Sequence, residues 1–319
     1  MNRLDGFPFV GNGRTLQRVE DMLTQKRIPQ ALVIEGPTGS GKKTLARLIA
    51  AGLLCGEGLP CGGCTVCSLI AKDAHPDVTW VRVEKDKSAL SVGEIRQVRA
   101  EAYMPPQQSD RKVFVIADEM NVQAQNALLK VLEEPPAHAV FILLCEHHSN
   151  LIATVQSRVT VLTLGSVPYD EALPVLVEQG LTDSSATRYR YETGGRLIGR
   201  MLQSGEEPTL EWRAAEGCAL ALARGKREEF LQAVAPVMGD RGLYPGTLTA
   251  LYTLLRDGLT CLVGQSGGEE IPTQLARRLS REQLLQAAQV IAQYQENLPY
   301  NPNGGLFFTA LCARLFPRQ

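Results

Sequence analysis

Short apolar runs alternate with amphipathic segments along the first half of the chain. The apolar runs are short and end in polar or glycine positions, as buried strands do. We predict strands over residues 31–36, 78–83, 112–119, 139–145 and 159–164. The segments between them place apolar residues every three or four positions, which is typical of helices. Predicted helices cover residues 14–25, 43–54, 91–103 and 121–134.

Two predicted helices begin with the sequence signature of a capping box. Ser91 precedes Glu94 by three positions, and Ser280 precedes Gln283 by three positions. In such a box each side chain satisfies a backbone N–H that the helix leaves open. Strands that alternate with helices favour an α/β domain with a parallel sheet and right-handed crossovers.

The second half of the chain has a different pattern. No convincing strand follows residue 168, and the remaining apolar positions have helical spacing. The stretch SGEEP at residues 204–208 has the composition of a linker. We therefore predict three parts: an α/β domain over 1–165, a small helical domain over 166–205, and an all-helical domain over 206–319.

Composition limits the classes of protein that fit this chain. It has 319 residues with a net charge of -1, so no general electrostatic attraction to DNA or membranes is expected, although a local basic patch remains open. The sequence contains no apolar run of about 18 residues, and its first residues lack the apolar core of a signal peptide. These features predict a cytoplasmic protein whose cysteines are reduced.

A glycine-rich loop follows the first predicted strand and leads into a helix. Its glycines are Gly36, Gly39 and Gly41. In a P-loop such glycines let backbone N–H groups surround phosphate oxygens, and Lys42 would reach the β- and γ-phosphates. Lys43 occupies the position of the hydroxyl that normally holds Mg²⁺, and Thr44 comes one residue late. The alternative is a glycine-rich turn without a ligand.

Two acids end the strand predicted at residues 112–119. Asp118 would hold Mg²⁺ through water and Glu119 would polarise an attacking water, as in a Walker B element. Two acids at a strand end can also simply face solvent. Paired with a phosphate loop, they favour a nucleotide site.

Four cysteines lie in one short segment of the sequence: Cys55, Cys61, Cys64 and Cys67. Four thiolates suit a closed tetrahedral Zn²⁺ site, which leaves no position for water and is therefore structural. The alternatives are a redox C-x-x-C pair and ordinary reduced cysteines. His75 is a candidate extra ligand, although its place in HPD favours a turn before the next strand.

Several of these segments resemble one protein family. They are residues 27–46, the cysteine cluster with HPDV at 75–78, DEMNVQAQNALLKVLEEPP at 118–136, and TVQSRV at 154–159. Together they resemble the delta-prime subunits of the bacterial DNA polymerase III clamp loader. The resemblance implies an AAA+ P-loop domain, a helical lid and an all-α collar through which five subunits form a ring. It also implies gamma/tau and delta subunits as partners, and action on a sliding clamp and primed DNA.

The resemblance also assigns roles to individual residues. Ser157 and Arg158 match the family's Ser-Arg-Cys motif, whose arginine completes the ATP site of a neighbouring subunit. Val159 replaces the cysteine, which is not the reacting group. Arg200 falls where lid arginines contact nucleotide. Without the motif, Arg158 would be interpreted as a member of a surface ion pair.

Two departures distinguish this chain from ATP-hydrolysing family members. Lys43 displaces the magnesium hydroxyl, and Cys145 followed by Glu146 stands where active members carry a small hydroxyl or amide. A carboxylate near a γ-phosphate would repel it. The resemblance therefore favours a stator that supplies Arg158 and hydrolyses no ATP itself within the polymerase III holoenzyme. The alternatives are a gamma-type ATPase, or a P-loop kinase for which no acceptor motif is evident.

Overall fold

The structure is a computed structural model that describes residues 7–56, 58–83, 89–203, 208–264, 270–296, 298 and 304–316. The chain divides into two compact units. The first comprises residues 1–175 and 196–203, and the second comprises residues 176–195 and 204–319. The predicted division at residues 165 and 205 stays a prediction, and the proposed linker at 204–208 lies almost wholly outside the described residues.

A five-stranded parallel sheet forms the centre of the first unit. Its strands are β1 Ala31–Glu35, β2 Val78–Val81, β3 Lys112–Ile116, β4 Ala139–Cys145 and β5 Thr160–Thr163. Their order across the sheet is β2-β3-β4-β1-β5. β3, β4 and most of β1 are fully buried, because a parallel sheet is covered on both faces and its central strands read as continuous apolar runs. The predicted parallel α/β sheet is confirmed.

Among the described residues up to 203, nine α-helices accompany the strands. They are α1 Gly13–Thr24, α2 Lys42–Leu54, α3 Thr65–Ala71, α4 Val92–Ala102, α5 Val122–Glu133, α6 Ala153–Gln156, α7 Tyr169–Glu178, α8 Ser185–Thr193 and α9 Ile198–Gln203. Two apolar layers enclose the sheet. The layer with α1, α2 and α3 contains Leu48 and Ile49, and the layer with α4, α5 and α6 contains Leu128 and Val155. The capping box of Ser91 and Glu94 opens α4 as predicted.

Helices account for all regular structure among the described residues from 208 onward. They are α10 Leu210–Arg224, α11 Arg227–Val234, α12 Tyr244–Leu262, α13 Glu270–Arg278, α14 Arg281–Glu296 and α15 Gly304–Leu315. The core of the second unit includes Trp212, Phe230, Leu251 and Phe308. Its aromatic rings pack tightly, for example Tyr244 edge-on to Phe308 with ring centroids 5.1 Å apart. The predicted helical second half is confirmed, and α13 and α15 are helices that the sequence pattern did not single out.

The second capping box is also present at the start of α14. The backbone N–H of Ser280 donates to Gln283 Oε1 (2.8 Å), and the backbone N–H of Gln283 donates to Ser280 Oγ (3.2 Å). No helix in the described ranges is both long and apolar enough to cross a lipid bilayer.

Candidate functional site: a phosphate loop, a thiol cluster and a surface arginine

The phosphate loop connects β1 to α2. Gly39 and Gly41 adopt φ of +90° and +94°, values that side chains with a Cβ rarely tolerate. The Lys42 ammonium donates to the backbone carbonyls of Gly36 and Pro37, at 2.5 and 3.1 Å. Burial lowers the pKa of Lys42, an effect that the Glu146 carboxylate opposes. Lys43 is exposed and Thr44 is half-buried.

Helix α9 lies directly on this loop. The backbone N–H of Gly199 donates to the Gly39 carbonyl (3.0 Å). A Cβ on Gly39 would lie 2.6 Å from the Arg200 nitrogen, and a Cβ on Gly199 would lie 2.9 Å from Gly39 Cα. Two glycines are therefore required where the backbones meet. The structure places Arg200 beside the phosphate loop, and its side chain is exposed.

Two other side chains cover the same loop. The ring of Phe9 would be 3.2 Å from a Cβ on Gly41, so it rests against the end of the loop. Glu146, directly after β4, accepts a hydrogen bond from the Thr38 hydroxyl (2.6 Å). The Thr38 hydroxyl lowers the pKa of Glu146, and the charge of Lys42 does the same. A carboxylate is therefore hydrogen-bonded to the loop that the sequence predicts to bind phosphate.

Glu35, the last residue of β1, is bound by three donors. The backbone N–H and ring Nδ1 of His148 lie 3.0 and 2.6 Å from its Oε2, and Thr163 Oγ1 donates to its Oε1 (2.8 Å). Burial would raise the pKa of Glu35, but the bonds from His148 and Thr163 outweigh burial and lower it to about 2. This side chain fixes the loop after β4 against β1 and β5.

The two predicted Walker B acids follow β3. In the sheet, β4 lies between β3 and β1, the strand that leads into the phosphate loop. Asp118 Oδ2 accepts from the backbone N–H of Val83 (2.8 Å), toward β2. Asp118, Glu119 and Cys145 border one small cavity of about 40 Å³. Burial raises the pKa of Cys145 to about 11, and the Glu35 charge adds to the effect.

The four predicted cysteine ligands converge between α2 and α3. Their sulfur atoms all lie within 4.8 Å of one another, and the Sγ atoms of Cys55 and Cys64 are 3.8 Å apart. Four sulfurs at about 2.3 Å from one tetrahedral ion would be about 3.8 Å apart, so the set fits such an ion. Cys64 also caps α3, where its Sγ accepts from the Cys67 N–H (3.4 Å). Backbone N–H groups of Gly63 and then Cys64 lower the pKa of Cys61 to about 7.

His75 is not part of this thiol group. It is buried, and its Nδ1 accepts from the Asp77 backbone N–H (3.1 Å) in the turn that precedes β2. Asp77 in turn accepts backbone hydrogen bonds from Gln107, Gln108 and Ser109. HPD is thus a turn with a structural role, as its sequence position favoured.

Arg158 lies on the surface between α6 and β5, at the amino end of that strand, whereas the phosphate loop follows the carboxyl end of the parallel strand β1. Its guanidinium donates to the Thr154 carbonyl (2.8 Å) and the Ser157 hydroxyl (3.1 Å), and pairs with Glu133 Oε1 (2.9 Å). Val159, the next residue, packs partly buried against the core.

Sequence reasoning missed a buried glutamine that joins these parts. Gln125 Nε2 donates to the Met120 carbonyl (3.0 Å), and Gln125 Oε1 accepts from the Ile152 N–H (2.7 Å). It therefore connects the acids after β3 to the start of α6, which leads to Arg158. The signal was a polar residue on the apolar face of α5, three positions before Leu128.

The sheet order and the loop define the class of the first unit. A phosphate loop after β1, acids after β3 and an intervening β4 form a P-loop module of the AAA+ type. Residues 11–168 match the family model for DNA polymerase III, delta subunit. Over those residues, which are just under half of the chain, the sequence is similar to clamp loader subunits of DNA polymerase III.

Individual proteins of this kind are also similar in sequence to parts of the chain. A 133-residue segment is 38% identical to the delta' subunit of Pseudomonas aeruginosa, covering 40% of each chain. The delta' subunit of Bacillus subtilis is 29% identical over 192 residues, covering 59% of this chain and 55% of that one. The gamma/tau subunit of Mycobacterium tuberculosis is 33% identical over 154 residues, covering 47% and 26%. The aligned segments thus span less than two thirds of each of these relatives.

Proposed function

We propose that the chain is a delta-prime-type clamp loader subunit that assembles with gamma/tau and delta subunits in a hetero-pentamer. In that assembly it is a stator: it supplies Arg158 in trans to a neighbour's ATP site and turns over negligible ATP itself. Loading of the sliding clamp onto primed DNA is the activity that this arrangement serves. A role in replication would place the chain in the cytoplasm.

The observation that carries this proposal is a contrast between two regions. The phosphate loop is where this chain would bind its own ATP, and Arg158 is the residue that would act on a neighbour's ATP. Backbone contact between Gly199 and Gly39 covers the phosphate loop, and Glu146 is bonded to Thr38 of the same loop. A triphosphate on this loop would meet the negative charge of Glu146. Arg158, in contrast, is exposed on the surface.

Arg158 has the chemistry that a trans role needs. A guanidinium stabilises the charge that develops on a γ-phosphate, and it does so from a neighbouring subunit in other P-loop proteins. The second unit, whose core is helical, is proposed as the collar that holds the subunits together. The four thiols are proposed to hold one structural Zn²⁺, which would fold the loop between α2 and α3.

The proposal is tested in the assembly reconstituted with the other clamp loader subunits of its own organism. Arg158→Ala should slow DNA-stimulated ATP hydrolysis and clamp loading about tenfold with assembly intact. This is less than the roughly 10³-fold or more that such arginines contribute in GTPases, because one of several sites is affected. Lys42→Ala should change both rates little, and Arg27→Ala, which removes another exposed arginine, serves as a charge control.

The gamma-type alternative predicts the reverse order of effects. A working ATPase needs its phosphate-loop lysine, so Lys42→Ala would then be as damaging as Arg158→Ala. That result would refute the stator assignment. Because the chain is also similar to the gamma/tau subunit of Mycobacterium tuberculosis, the effects of Lys42→Ala and Arg158→Ala should be measured side by side.

A further inference from the structure

We propose that Glu133 is a positioning residue that holds the Arg158 guanidinium in the orientation it needs to reach a neighbour's phosphate. This inference rests on the proposed trans role of Arg158. It concerns a residue that contacts no nucleotide and acts only through the arginine.

The guanidinium is held from two separate elements. From its own segment, Thr154 and Ser157 take the two hydrogens of Nη1. From the end of α5, Glu133 takes one hydrogen of Nη2 at 2.9 Å. A guanidinium has five N–H donors in a fixed plane, so these three contacts fix its orientation and leave two donors for an anion.

Both partners are attached to rigid backbone. Arg158 stands between Val155, which is fully buried, and Val159, which packs against the core. Glu133 is the last residue of α5, and the helix is stopped there because Pro135 disfavours helical geometry at the preceding residue. Glu134 accordingly has φ of −128° and ψ of 67°. The backbones at both ends of the charge pair are therefore fixed relative to their own elements, and formation of the pair orders the two side chains only.

The position of Glu133 is unfavourable for the helix that carries it. The C-terminal end of a helix has a partial negative charge, and a carboxylate there costs stability. Arg158 compensates this cost, since its positive charge lies 2.9 Å from the carboxylate. The charge of Arg158 thus stabilises Glu133 at the end of α5, and Glu133 in turn fixes one side of the guanidinium.

The pair is also accessible enough to act. The side chains of Arg158 and Glu133 are 36% and 49% exposed. Glu133 also lines a shallow surface groove together with Arg99, Tyr103 and Lys130. An approaching phosphate would therefore find the guanidinium held in place, and no buried contact would have to break first.

The test is a double-mutant cycle in the reconstituted clamp loader, with kcat and KM for DNA-stimulated ATP hydrolysis as readouts. Glu133→Ala should lower kcat about two- to fivefold, as expected for loss of one partly exposed charge pair, and leave KM unchanged. Glu133→Gln keeps a hydrogen-bond acceptor and should recover part of the loss. Glu134→Ala, an exposed acid one residue along, is the matched control and should have no effect.

The decisive variant combines Glu133→Ala with Arg158→Ala. If Glu133 acts only through the arginine, the double variant has the rate of Arg158→Ala alone. A further fall in the double variant, or a kcat that Glu133→Ala leaves unchanged or raises, would overturn the inference. If Arg158→Ala itself had no effect, the proposed function would fail and this inference with it, which is a different result from failure at Glu133 alone.

Discussion

Helix α2 separates two glycine-containing loops that differ in how they are completed. The thiol loop, defined as residues 55–67 and including the first turn of α3, contains the four candidate ligands, and their sulfur atoms all lie within 4.8 Å of one another. The phosphate loop before Lys42 is completed by residues far away in sequence. The backbone N–H of Gly199 donates a hydrogen bond to the loop, and the Glu146 carboxylate accepts one from Thr38 of the loop.

The comparison shows two ways in which a sequence encodes a site. Four identical ligands at short spacing need only a short loop to meet, so their chemistry is local. A phosphate loop has the right glycines and lysine locally, but its ability to accept phosphate depends on what the fold places over it. The same helix therefore joins a thiol cluster formed within one short segment to a loop that distant residues contact.

The largest effect is expected from removing one ligand of the thiol loop. Cys64→Ser should abolish most metal binding and lower the melting temperature by several degrees or more, since structural zinc contributes folding free energy directly. Elemental analysis of the chain purified without added metal should find about one zinc per wild-type chain. Cys261→Ser, outside the cluster, is the control and should retain the metal.

A wild-type chain with reduced thiols and no bound zinc would contradict the metal assignment. It would also remove the contrast between the two loops, because the thiol loop would then be no more complete than the phosphate loop.

A smaller effect is expected from enlarging a glycine at the phosphate loop. Gly199→Ala places a methyl group 2.9 Å from Gly39 Cα, and the backbone there must move. Overpacking of this kind costs about 1–3 kcal/mol, so the free energy of unfolding of the first unit should fall by that amount. Chemical denaturation followed by circular dichroism measures it.

The control for this prediction is Gly93→Ala in the first turn of α4. A methyl group there would meet only Ser91 Oγ, at the ordinary distance of 3.7 Å. Equal stability of Gly199→Ala and the wild type would show that helix α9 does not hold the phosphate loop as described.

The smallest effect is expected from restoring the phosphate loop's chemistry. Glu146→Asn combined with Lys43→Thr removes the carboxylate beside Thr38 and returns a hydroxyl after Lys42. The two charge changes cancel in net charge, but Glu146 contacts the loop through Thr38 whereas Lys43 is exposed, so affinity for a fluorescent ATP analogue should rise about tenfold. Titration of the isolated chain in the presence of Mg²⁺ provides the measurement.

Glu228→Asn combined with Lys226→Thr makes the same two charge changes at exposed positions around the start of α11 and should leave the affinity unchanged. An equal rise in that control, or none in the double variant, would show that Glu146 and Lys43 do not limit nucleotide binding.

Much of the fold could be predicted because its signals are local. The five strands were found from apolar runs, and β4 was predicted with the bounds 139–145 that the structure has. The capping boxes of α4 and α14 are contacts between residues three positions apart, so spacing alone reveals them. Helix α3 was missed because its first turn lies inside the cysteine cluster, where glycines and thiols obscured the helical pattern.

The candidate site was only partly predictable, because several of its contacts join residues that are distant in sequence. Gln125 and Glu133 were missed because their partners, Ile152 and Arg158, belong to a later segment of the chain that the fold brings back to α5. Arg158 was expected to form a surface ion pair if the family motif were ignored, and the ion pair is present. No spacing rule could identify its partner as the terminal residue of α5.

The sequence by itself determined the parallel sheet, the helical second half, the thiol cluster and the glycine-rich loop between β1 and α2. Each depends on periodicity or on groups within one short segment, where chain connectivity alone brings atoms together. Only the tertiary structure decided that Gly199 lies on Gly39, that Glu146 is bonded to Thr38 and that Glu133 holds Arg158. These contacts join segments that are distant in sequence, and their geometry is set by how strands and helices pack.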